Sequence, residues 1–242
     1  MRLLSKQVRG NAQYPNAKFV RCHRQITRMP QPLSKVCRNP KIDSWGVGSI
    51  GKRPVLASLY AQAISSWGDV EAYQLMLFVT LLGGNEAIAA KIYLSLDTAR
   101  AKSKVLEQLV GTIKDERRKN VTRAVISIGK AREKERDKLA HRALGICNEL
   151  RDAFLLVNPK EIVSKAEIHY GDILVYRQKD FLALVEGNMR LCDYLNDLRE
   201  ILKKTPSKKA NRLLEALYET PEIQERLSRP ASVAQSAPAG SS

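Results

Sequence analysis

Apolar positions recur along most of the chain at a spacing that favours helices. Val55, Leu59, Ala63 and Ile64 fall on one helical face, and Pro54 suits the first helical position. Ser66-Trp67-Gly68-Asp69 has the form of a capping box, which predicts a second helix from Val70 to Leu82. That helix is apolar on nearly every side and reads as a central core helix, too short to cross a bilayer. Gly83-Gly84 stops it. Asn85 is placed to cap a helix over Glu86–Leu96, and Asp97 one that starts at Thr98 and carries Ala101, Val105, Leu109 and Ile113. A long charged helix follows, Lys114 to Gly145, with Val121, Ala124, Val125, Ile128, Ala131 and Leu139 as its apolar stripe and Gly145 as the residue that ends it.

The pattern then shortens. Ala153–Val157 and Asp172–Tyr176 read as two strands paired antiparallel, with a helical turn after Asn158-Pro159. A rival hairpin at Gly171-Asp172 would join residues 167–170 to 173–176. Asp180 opens a long helix whose stripe is Phe181, Leu184, Val185, Cys192, Leu195, Leu198 and Leu202; this stripe must face the core or a partner. A short amphipathic helix carries Leu213, Leu214, Leu217 and Tyr218. The expected fold is mainly α: a bundle of five or six helices with a small two-stranded β hairpin, over residues 54–220. Residues 1–53, broken by Pro15, Pro30, Pro32 and Pro40, are expected to be a disordered extension, and residues 221–242 a disordered tail.

Charge adds a second layer. The net charge is +16, of which residues 1–53 hold +11 and Lys114–Arg142 hold +6, so the remainder is near neutral. A basic arm and a basic helix attract phosphates, most simply those of nucleic acid, although charge on a helix is also an ordinary solvated face. The arm itself reads as an unselected extension ahead of two alternatives, a nucleic-acid-binding segment and a targeting peptide. Four cysteines without a C-x-x-C pair fit a reducing compartment. The absence of a membrane-length apolar run fits a soluble, cytoplasmic protein. No phosphate-binding glycine loop, H-E-x-x-H, G-x-S-x-G or acidic cluster is present, so neither a metal nor a cofactor is expected.

The residues with interpretable chemistry end the charged helix: Arg136-Asp137-Lys138-Leu139-Ala140-His141. A neutral imidazole can take the proton of a ribose 2′-hydroxyl or protonate a leaving oxygen, and a guanidinium can hold phosphorane oxyanions through paired hydrogen bonds. Asp137 lies four residues before His141, on the same face, and can orient its ring. On a regular helix, however, Arg136 and His141 are turned about 140° apart. They converge only if the helix ends between them or a second chain supplies one group. The structural alternative has His141 capping helix-end carbonyls while Arg136 pairs with Glu133.

The segment resembles the R-x(4–6)-H motif of HEPN-domain proteins, in which the residue after the Arg is typically polar, as Asp137 is. The resemblance covers about Pro54 to Leu202. It implies a helical bundle that dimerises and brings two motifs together, in many members as a metal-independent endoribonuclease of toxin–antitoxin, phage-defence or RNA-processing systems. Carried over, Arg136 and His141 are catalytic and Asp137 supports them. Arg123, Lys130, Lys134, Lys138 and Arg142 are candidates to guide the RNA backbone, and a second copy of the chain and a neutralising protein are candidate partners. Two other readings stand beside it: a non-enzymatic interaction module that dimerises through the 181–202 stripe, and a nucleic-acid-binding protein acting through the basic arm.

Overall fold

The computed structural model describes residues 30–164, 169–203 and 207–228. In chain order the elements are β1 (Gln31–Pro32), α1 (Leu33–Val36), β2 (Ile42–Trp45), α2 (Val47–Gly51), α3 (Pro54–Leu82), α4 (Glu86–Leu94), α5 (Ala99–Gly111) and α6 (Glu116–His141). There follow β3 (Ala143–Cys147), β4 (Ala153–Val157), α7 (Pro159–Ser164), β5 (Leu174–Arg177), α8 (Gln178–Ile201), α9 (Lys208–Glu219) and α10 (Pro221–Leu227). The fold is mainly helical, with one five-stranded antiparallel sheet in the order β1-β5-β4-β3-β2.

The helical core is built on α3, α6 and α8. Tyr60 meets Phe181 edge-on at 6.1 Å, and Asn188 donates to Ser66 Oγ at 2.9 Å, so α3 and α8 run parallel, advancing together along the chain. Trp67, Val70 and Leu77 of α3 pack with Val121, Val125 and Ile128 of α6 and Leu191, Leu195 and Leu198 of α8. Leu214 and Leu217 of α9 and Ile223 of α10 close the end of this cluster. Each fully buried aliphatic side chain contributes about 1.5–3 kcal/mol relative to exposure. The 181–202 stripe is therefore spent inside the chain, against α3 and α6.

The sheet owes its depth to β4, which is buried at all five positions. Alternation sorts them between its two faces. Phe154 and Leu156 join Leu139, Tyr176 and Phe181 under the helices, while Ala153, Leu155 and Val157 join Leu33, Cys147 and Ile173 on the other side. Pairing of β4 with β5 places Ala153 opposite Arg177 and Leu155 opposite Val175, as the apolar runs predict.

Several expectations are corrected. The two-stranded hairpin is the middle of five strands. Residues 31–53, expected to lack structure, supply both edge strands and α1, whose Leu33 is fully buried. Short strands in a proline-rich basic segment show no alternation long enough to detect. The helix break expected at Ser66–Asp69 is absent: the Ser66 hydroxyl donates to the Ala63 carbonyl at 3.1 Å, buried Trp67 donates to Glu71 at 2.9 Å, and α3 runs through. Its second half is not buried all round, since Met76 and Leu82 are exposed. Thr98, one residue beyond the expected Asp97, caps α5 by accepting from the Ala101 N–H at 3.1 Å. Residues 221–227, assigned to the tail, form α10 with Ile223 fully buried. Gly145 does not end a helix. It lies in β3 opposite Trp45, where an added Cβ would sit 2.3 Å from the indole ring. The rival hairpin falls partly on residues 165–168, outside the described residues.

Candidate active site at the end of α6

Helix α6 starts where the Asp115 carboxylate accepts from the Arg118 N–H at 3.0 Å and runs without interruption to His141. Fully buried Leu139 anchors its last turn, and the Tyr60 hydroxyl donates to the Leu139 carbonyl at 2.9 Å. Arg142 is extended (φ −94°, ψ 147°) because the chain is captured at once by the sheet, with Ala143 opposite Val157 and the Gly46 N–H on the Leu144 carbonyl at 2.7 Å. The helix therefore ends at His141 and not at Gly145. His141 is exposed at the junction and makes no hydrogen bond or ion pair among the described residues.

Arg136 turns toward α3. Its guanidinium carbon lies 5.5 Å from the centre of the Trp67 ring. One terminal nitrogen is 3.2 Å from Asp137 Oδ1 and the other 3.7 Å from Glu71 Oε1. Its Nε is buried without a partner. The Arg136–Glu133 pair of the structural alternative is not formed. Burial, followed by the neighbouring Asp137 and Glu71 carboxylates, pushes the Glu133 carboxyl up, with Arg136 and Lys130 acting against it.

Within one chain the geometry leaves the three motif residues in two places. Regular helix through His141 keeps Arg136 about 140° away around the axis. Asp137 shares the His141 face but spends its carboxylate on Arg136, with no hydrogen bond to His141. The five candidate RNA-guiding residues also divide. Lys130 pairs with Glu107, Lys138 pairs with Glu135 at 2.6 Å, and Arg142 is half-buried; Arg123 and Lys134 are exposed without an acidic partner among the described residues.

A cavity of about 230 Å³ lies beside Arg136 among α3, α4, α5 and α6, lined by Trp67, Glu71, Tyr93, Lys102 and Glu133 among others. The Tyr93 hydroxyl is pushed up to about 12 by burial and then by the Glu71 and Glu133 carboxylates. These residues come from separate helices, and no local sequence signal announces the cavity. Among the described residues, no group of His, Cys, Asp and Glu is placed to hold a metal ion, and no helix is long and apolar enough to cross a membrane. Comparison of the chain with protein-family models, curated proteins and solved structures finds no match.

Proposed function

We propose that the chain is a HEPN-like protein that cleaves RNA without metal as a homodimer, in toxin or phage-defence type reactions, with Arg136 and His141 as catalytic residues and Asp137 in support. The observation that carries this reading is the termination of a basic helix at an exposed, unpartnered His141. An imidazole placed there is open to substrate and to a second copy of the chain. Because Arg136 faces elsewhere in its own chain, the site is complete only when two such helix ends meet. In that arrangement one His141 removes the 2′-hydroxyl proton, the 2′-oxygen attacks the adjacent phosphorus, and the second His141 protonates the leaving 5′-oxygen. The products are a 2′,3′-cyclic phosphate and a free 5′-hydroxyl. Arg136 stabilises the phosphorane once its guanidinium leaves Asp137, and Asp137 is then free to orient the His141 ring.

The contacts of Arg136 favour a second reading, a non-enzymatic helical protein in which Arg136 clamps α6 to α3 through Trp67 and Glu71. Cleavage of a labelled single-stranded RNA pool in EDTA separates the two. The enzyme reading expects cyclic-phosphate ends that disappear in His141→Ala; the clamp reading expects no cleavage by the intact protein.

A further inference from the structure

A second charged feature lies at the opposite end of the sheet from His141. The β3–β4 turn and the starts of α3 and α8 meet there around an open cleft of about 540 Å³. Its lining includes Lys52, Arg53, Arg151, Asp152, Arg177 and Lys179, from three separate parts of the chain.

The charges are unevenly spent. Lys52 is neutralised by Asp43 at 2.6 Å, and Arg177 meets Asp152 at 3.5 Å. Arg53 directs its guanidinium to the carbonyl oxygens of Cys147 (2.8 Å), Leu150 and Ala153, which fixes the turn but leaves its charge without a carboxylate. Arg151 and Lys179 are exposed and have no partner among the described residues. Three acids at or beside the cleft, Asp43, Asp152 and Asp180, against five cations leave an excess of two positive charges around it. Helix α3 also begins here, with no acid in its first turn, and its N-terminus adds to the same potential, whereas Asp180 offsets that of α8. Helix α6 differs, because most of its cations are paired with acids, either on α6 and its N-cap or on α5, α9 and α10.

We propose that this cleft, and not the surface of α6, binds the phosphates of a single-stranded RNA. The inference rests on the ribonuclease reading for the identity of the polyanion but not for the location of the site. Exposed cations at the rim of an open cleft suit a phosphodiester backbone, which is gripped by releasing counterions; a small anion calls for enclosed donors. From His141 to Cys147 at the start of the turn the extended backbone covers about 20 Å, a distance that one extended RNA strand can span.

The test is fluorescence anisotropy of a labelled single-stranded RNA of roughly 12 nucleotides, titrated with the full chain carrying His141→Ala so that the probe stays intact. Affinity is followed from about 50 to about 200 mM KCl. Neutralising Arg151 and Lys179 together (Arg151→Gln, Lys179→Gln) is expected to lower the slope of log K against log salt by about 1.4, roughly 0.7 per phosphate contact. The matched pair Arg123→Gln, Lys134→Gln on α6 is expected to leave it unchanged. All four positions are exposed, and equal melting temperatures certify the variants. An unchanged slope in the cleft variant, a loss confined to the α6 variant, or no RNA binding at all overturns the proposal. Cleavage by the protein with His141 intact is scored separately. Cleavage with an unchanged slope removes the cleft alone, and binding through the cleft without cleavage removes the ribonuclease reading alone.

Discussion

Gly145→Ala probes the geometry on which the site depends, because the position of His141 follows from where α6 gives way to β3. Gly145 faces Trp45 across β2 and β3, and an added methyl would lie 2.3, 2.5 and 2.9 Å from three carbons of the indole. No carbon approaches another that closely, so the ring or the β2 edge must move. Overpacking of this kind costs about 1–3 kcal/mol. The substitution has an opposite effect of its own, since alanine in a strand interior is favoured over glycine by about 0.5–1 kcal/mol. Removing the ring should therefore reverse the sign: destabilising in the intact protein, stabilising by about 0.5–1 kcal/mol beside Trp45→Ala. Urea unfolding of the four proteins of this double-mutant cycle measures the coupling, expected to equal the overpacking cost of about 1–3 kcal/mol. The net loss in the single variant, up to about 2.5 kcal/mol, should lower its melting temperature by up to about 10 °C for a chain of this length. If Gly145 instead ended a helix, alanine would cost the same with or without Trp45. Equal effects in both backgrounds would refute the account.

Other consequences follow from the same contacts. Leu33→Ala should cost about 2–5 kcal/mol in urea unfolding, because the side chain is fully buried against the sheet; no effect would return residues 31–53 to the status of a loose extension. Tyr93 holds its proton to about 12, above the ordinary tyrosine value near 10. Between those values the folded chain keeps a proton that the unfolded chain releases, so stability should fall as pH rises through that window. Tyr93→Phe should flatten that fall in unfolding curves at about pH 9 and about pH 11, and an unchanged slope would mean the hydroxyl is solvated. His141→Ala should leave the melting temperature within about 1 °C, as expected of an exposed, unpartnered residue, whereas Arg136→Ala should lose about 1–3 kcal/mol with its contacts to Trp67, Glu71 and Asp137. Equal stability of the two variants would deny Arg136 its clamping role.

Much of the helical layer was legible because its signals are local. The Asn85 cap holds, the 181–202 stripe finds its core, and the strand expected at 172–176 pairs antiparallel with 153–157 as expected, although it is Leu174–Arg177. The misses have physical reasons. Ala143–Cys147 continues the apolar content of α6 with a glycine in the middle, so it reads as a helix end; what ends the helix is strand pairing to Val157, a contact between distant residues. Ser66–Asp69 has the composition of a cap, but burial of Trp67 keeps the backbone helical. The edge strands are two and four residues long and carry no readable period. Removal of residues 1–53 is therefore not a clean test of the basic arm, since it takes Leu33 and both edge strands with it. The motif Arg136–His141 was legible as a spacing, but the partners of Arg136 come from α3, and the basic cleft is assembled from positions 52–53, 151 and 177–179; neither leaves a local trace.

The most direct test of the central claim is cleavage of single-stranded RNA in EDTA by the intact protein and by His141→Ala, with product ends analysed and oligomeric state measured by sedimentation. The account predicts a dimer, cleavage with 2′,3′-cyclic phosphate ends, and loss of cleavage in a variant that still dimerises and melts normally. An intact protein that does not cut, or a variant that cuts equally well, contradicts it.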